Sequence, residues 1–250
     1  MVLHGYAGTA VLILGLLSKG SRTEMDYGSV SSILAAIGFF VGKQALQVSS
    51  AGTDGAWSSL GAFNTIVAAY AGAITYNVAS IVLPKSGALF KGAITSSSSV
   101  KGALVGTVAM AAGAAYLEPE YAVLSTVCSA TVVYVIDHLT KGVNVAGFDC
   151  FMTHGMSGFV GSAMIGLFAN NKDGRLYALS SPYAQNYVGG FFGSSIQLAK
   201  QCAGISTTIL LTAVMTTGLY ALVHIVMLPF GGAWEAKEEG ALKSADSSAA

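Results

Sequence analysis

Residues Phe148 to Asn170 read F-D-C-F-M-T-H-G-M-S-G-F-V-G-S-A-M-I-G-L-F-A-N. The stretch is one apolar run, long enough to cross a bilayer as a helix, which takes roughly 20 residues. It nevertheless opens with Asp149, carries His154 and is studded with glycine. An ionisable side chain inside such a run is expensive in hydrocarbon, so by default it marks a pathway or a site. On a helix, His154, Gly158, Gly161, Ser162 and Ile165 share one face. The histidine therefore points toward the small residues through which helices pack, into protein rather than lipid. A histidine simply hydrogen-bonded within that packing is the plainer reading and stays open on position alone. Asp149 sits at the helix start, where free backbone N–H groups and the helix dipole favour a carboxylate, and it reads first as a cap.

The rest of the chain repeats the pattern. Hydrophobic residues make up 53% of the 250 and charged residues only 10%, with a mean hydropathy of +0.64. That is too little polar surface to cover a globule in water. Seven apolar spans, at 1–18, 30–48, 58–83, 100–117, 120–139, 148–169 and 203–230, predict an all-α, polytopic transmembrane helix bundle over residues 1–230. A charged, small-residue cytoplasmic tail, 231–250, follows and reads as solvated. The polar segment from Asn170 to about Gln201, with Tyr177, Tyr183 and Tyr187, is expected along the membrane interface. Small residues fill the spans, as in A-G-A-I-T-Y-N-V-A-S from Ala71 to Ser80, which predicts close helix crossings.

Charge distribution gives the orientation. Placing the first loop in the cytoplasm puts eight Lys and Arg residues inside, against Lys172 and Arg175 outside, so the amino terminus is expected outside and the carboxyl terminus in the cytoplasm. The start of the chain lacks a basic n-region and a cleavage site, and no signal peptide is expected. The net charge is zero and there is no basic run, which argues against a nucleic-acid partner. Cys128, Cys150 and Cys202 lack the spacing of a disulfide framework or a zinc site. No nucleophile elbow or phosphate loop is present, so neither enzyme activity, a metal nor a cofactor is expected. His138 and His224 read as interfacial or satisfied within the bundle.

Several tracts together resemble the ammonium transporter (Amt/Rh) family. The pattern Asp149-x-Phe151-x-x-His154-Gly155, closed by Gly166-Leu167-Phe168-Ala169, is similar to that family's tenth helix with its pore histidine. The opening V-L-H-G-Y-A-G, with His4, resembles the fifth helix, which carries the other histidine of the family's pair. Residues 51–72, with A-G-T-D-G and F-N-T-I-V-A-A-Y-A-G, resemble the end of the sixth helix and the start of the seventh; residues 101–116 resemble the eighth. E-A-K-E-E-G-A-L resembles the acidic cytoplasmic motif after the eleventh.

The resemblance implies an eleven-helix fold of two five-helix inverted repeats, assembled as a homotrimer in the plasma membrane with a pore through each subunit. This chain would supply helices five to eleven, as an amino-terminally truncated part of a longer transporter, with the first four helices of the family pattern missing. It implies His4 and His154 as the pore pair, Phe39 or Phe40 as a gate, and Asp149, Gly155 and Gly158 as pore support. A cytoplasmic regulatory protein at the tail is implied as well. The chain departs from the pattern at Lys43, in a sixth-helix region with about four extra residues. A lysine there is read as snorkelling, pairing, or blocking cation entry. The family's aspartate upstream of the first histidine is absent, and the basic residue before the tail motif is replaced within Gly231–Trp234.

Histidines suit such a task. Stripping a bare ammonium ion of water is prohibitive in low dielectric, whereas ammonia is small and neutral. Two imidazoles sharing one hydrogen bond would each keep a second nitrogen for the passing molecule or a relayed proton. The expected function is therefore ammonium or ammonia transport across the lipid bilayer. The alternative is a non-transporting or degenerate membrane subunit of the same family, which Lys43 and the altered tail favour.

Overall fold

The computed structural model describes residues 2–23, 25, 27–50, 55–83, 92–169, 188–193 and 195–227. Its helices are α1 (Val2–Leu17), α2 (Val30–Ser50), α3 (Gly55–Val82), α4 (Ser96–Met110), α5 (Pro119–Leu139), α6 (Phe148–Cys150), α7 (Ser157–Phe168) and α8 (Ser195–Met227). A π-helical turn, Phe151–Met156, joins α6 to α7 without a break, so these three form one rod. Seven rods result, with no strand among the described residues. The fold is the polytopic helical bundle expected. Ser59–Val82, Pro119–Leu139 and Ser195–Met227 are long and apolar enough to cross a membrane, and Leu3–Leu17 and Val30–Leu46 are shorter apolar helices.

Three boundaries differ from the expected spans, two of them for identifiable reasons. The fourth rod begins at Ser96 rather than near 100, because Thr95 and Ser98 form a capping box. The Ser98 N–H donates to the Thr95 hydroxyl at 3.0 Å, and the Thr95 N–H donates to the Ser98 hydroxyl at 3.2 Å, satisfying two donors the helix leaves open. That rod also ends early, at Met110, and gives way to turns up to Tyr116. Irregular backbone at membrane depth is tolerated only where protein groups satisfy it. Here Asn64, fully buried in α3, donates to the carbonyls of Ala114 at 2.7 Å and Leu117 at 2.8 Å. The last rod starts at Ser195, inside the segment expected to be polar. Residues 170–187, with the three tyrosines expected at the interface, and the tail 231–250 lie outside the described residues.

Helices α3, α4, α5 and α7 enclose the core. One apolar cluster gathers Met110, Leu117 and Ile165, and a second gathers Tyr76, Val105, Val133 and Met152. The α3–α4 crossing is close because both sides lack side chains: a Cβ on Gly72 would fall 2.9 Å from the Gly106 Cα. Contact of this kind, rather than solvent exclusion, drives helix association in lipid. Outer α8 behaves oppositely, leaving Leu210 and Leu219 more than half exposed. Such a face is stable against hydrocarbon.

Candidate functional site

Helix α1 crosses the rod of α6 and α7 at a pair of glycines. A Cβ on Gly8 would fall 2.6 Å from the Gly155 Cα and nearer still to its nitrogen, so the two backbones touch. His4 lies one turn before Gly8 on α1, and His154 immediately precedes Gly155. The glycine contact thus brings the two histidines together. Their rings lie with centroids 5.5 Å apart and within 15° of parallel. Gly158 backs the first of them, since a Cβ there would stand 3.6 Å from the His4 Cβ. Gly155 has less room on its own helix: a Cβ would meet the Phe151 ring at 2.7 Å.

His154 sits inside the π turn, where one extra residue per turn re-aims the side chains, an arrangement common at functional sites. A 3.6-residue pattern gives no sign of it. Both histidines are half-buried, and no hydrogen bond joins them or ties either one to another described residue. The shared imidazole hydrogen bond expected from the sequence is therefore not formed in this arrangement, and the ring nitrogens keep their capacity for a third molecule.

Phe39 of α2 completes the group. Its ring centroid is 5.8 Å from that of His4 and 5.7 Å from that of His154, the latter nearly edge-on. Phe40, the other gate candidate, makes no ring contact with either histidine and instead lines an apolar cavity of about 450 Å³ with Ile33, Ile37, Ile66 and Leu104. Phe39 borders the same cavity, so it separates the histidines from it.

Asp149 lies at one end of this assembly, in a buried charge network. Arg22, from the segment between α1 and α2, pairs directly with Asp149 and with Asp137 at 3.0 Å. Lys101 of α4 reaches the other Asp137 oxygen at 2.8 Å. The Met25 N–H donates to Asp149 at 3.2 Å, and the Arg22 N–H donates to the Asn144 side chain at 2.7 Å. Burial acts to lower the Arg22 pKa, but the carboxylates of Asp149 and Asp137 outweigh it and hold the guanidinium above its ordinary value. Asp149 makes no capping bond to its own helix. Its oxygens are spent on the loop, so the cap read from the sequence is replaced by a tether.

Tyr27 links this network to the histidine turn. Its hydroxyl lies 3.0 Å from that of Thr153, which donates to the Asp149 carbonyl at 2.9 Å. Burial pushes the Tyr27 phenol up to about 12. Sequence reasoning missed Arg22, Tyr27, Lys101 and Asp137. The available signal was a carboxylate, Asp137, near the end of an apolar span, where an unpaired charge would be costly.

Lys43 is a further buried polar group, on α2. It lies one turn beyond Phe39 on α2, is only 7% exposed, and forms no ion pair or hydrogen bond among the described residues.

These features meet a known pattern. The model of the Ammonium Transporter Family matches residues 1–238. The chain belongs to the ammonium transporter family. Its fold is similar to the crystal structure of Candida albicans Mep2, with 23% identity and a TM-score of 0.71 over 91% of this chain and 49% of that one. Saccharomyces cerevisiae Mep2 aligns at 22% identity and a TM-score of 0.70, over 91% of this chain and 50% of that one. A sensor Amt protein aligns at 17% and 0.69, over 89% of this chain and 53% of that one. The chain thus spans about half the length of these solved structures. No curated protein sequence matches it. Membership in this family, with the apolar rods, makes the chain an integral membrane protein of a transporter family rather than of an enzyme family.

Proposed function

We propose that this chain moves ammonium or ammonia across a membrane past His4 and His154. The observation that carries the reading is the near-parallel histidine pair, 5.5 Å apart, with Phe39 against both rings. Neither imidazole is committed to another described residue. Each therefore offers an acceptor or donor nitrogen to a small, polar, uncharged molecule. Phe39 acts as the gate and Phe40 does not. Asp149, Gly155 and Gly158 hold the pair in place: the aspartate through Arg22, the glycines by admitting α1.

The wider setting follows the family resemblance. The charge network of Arg22, Lys101, Asp137 and Asp149 faces the cytoplasm, the amino terminus lies outside and the carboxyl terminus inside, in a plasma membrane. Three copies assemble with one conduit each, residues 1–230 form the membrane domain, and the acidic tail 231–250 receives a cytoplasmic regulatory protein. A second reading, a non-transporting family subunit, is favoured by one observation: buried Lys43 one helical turn from Phe39.

Methylammonium uptake in cells lacking their own ammonium transporters separates the two. Wild-type chain should restore uptake, and His154→Ala should cut it strongly. Equal uptake by wild type and His154→Ala would remove the histidine pair from the mechanism.

A further inference from the structure

Lys43 is a buried cation one helical turn from Phe39, the ring that touches both histidines. Helix α2 starts beside Tyr27, whose hydroxyl contacts Thr153 one residue before His154. From there it rises to Phe39, which touches both histidines. Lys43 is four residues further on, about 6 Å along the helix and on the same face. It therefore stands on the side of the histidine pair away from the Asp149 network.

Two observations separate it from an ordinary lysine at a helix end. Its side chain is 7% exposed, so its ammonium has not snorkelled out. No carboxylate among the described residues answers it; those at Asp137 and Asp149 are held by Arg22 and Lys101. Lys43 and Phe39, four residues apart, share one face of α2.

We infer that Lys43 is a specificity-determining residue: its fixed positive charge turns cations away from the histidine pair and leaves neutral ammonia as the species that crosses. A fixed positive charge in a medium of low effective permittivity repels a second cation that approaches it, whereas neutral ammonia meets no such barrier. The inference rests on the transport reading above.

The test uses the full chain in liposomes exposed to a jump of ammonium chloride. A trapped pH dye reports ammonia entry, and a solid-supported membrane reports charge movement. Wild type should alkalinise the lumen with no more current than empty vesicles. Lys43→Met should alkalinise as well and add a current clearly above that of empty vesicles. Lys43→Arg, which keeps the charge, should stay electrically silent. A wild-type current equal to that of Lys43→Met, or alkalinisation by both without a current in Lys43→Met, would overturn the inference and leave transport standing. No alkalinisation by either folded protein would overturn the transport reading and this inference with it.

Discussion

Arg22 and Asp149 form a direct ion pair, with side chains only 10% and 6% exposed, between a loop and the helix that carries His154. Removing one partner of a buried pair leaves a charge without compensation, which costs about 3–5 kcal/mol. Arg22→Met should therefore lower the melting temperature in detergent markedly. Adding Asp149→Asn should worsen it by much less than the second single variant does alone, because the two side chains share one interaction. Additive losses in that cycle would mean that the pair is not coupled.

The Gly8–Gly155 contact makes a second prediction. Gly8→Leu would drive a side chain into the backbone of the π turn, and overpacking of this kind costs about 1–3 kcal/mol. Uptake should fall along with the melting temperature, since the same crossing sets the spacing of His4 and His154. Gly158→Ala, whose Cβ would rest 3.6 Å from that of His4, should fold normally. Both are read by size-exclusion profile and melting in detergent.

Phe39 and Phe40 should behave differently although they are neighbours. Phe39→Ala removes the ring that covers both imidazoles and should change methylammonium uptake several-fold. Phe40→Ala enlarges a cavity away from them and should leave uptake near wild type. The reverse ranking would make Phe40 the gate.

Tyr27 gives a pH dependence. In the unfolded chain its phenol ionises near 10, whereas burial holds the native proton to about 12. The folded pKa is raised, so the stability tied to the neutral phenol is complete below pH 10 and is lost as pH rises through 12. The total is about 2–3 kcal/mol. The difference in unfolding free energy between wild type and Tyr27→Phe should shift by this amount between pH 9 and pH 12. A constant difference would show that the phenol is not held neutral.

Much of the fold was legible because hydropathy and small-residue content act locally along each span. Phe148 to Asn170 announced a helix with an inward histidine, and its partner His4 followed from the family resemblance. Three features were not legible, each for a physical reason. The π turn around His154 lies where α1 crosses, and a fixed helical period gives no sign of it. Arg22 lies far from Asp149 in sequence, so its pairing depends on how the α1–α2 segment folds back, and that made Asp149 look like a cap. The early end of α4 depends on Asn64 accepting the job of satisfying two distant carbonyls' hydrogen-bonding needs by donating to both. Lys43 was conspicuous from the start, but its burial and lack of a carboxylate became visible only in the packed bundle.

The central claim is that His4 and His154 act as one unit on the substrate. Ammonia-driven alkalinisation of liposomes holding the purified chain tests it directly, with His4→Ala, His154→Ala and the double variant compared against wild type. The account predicts that each single variant loses nearly as much flux as the double, because the substrate has to meet both rings in turn. A double variant that alkalinises as fast as wild type would contradict it.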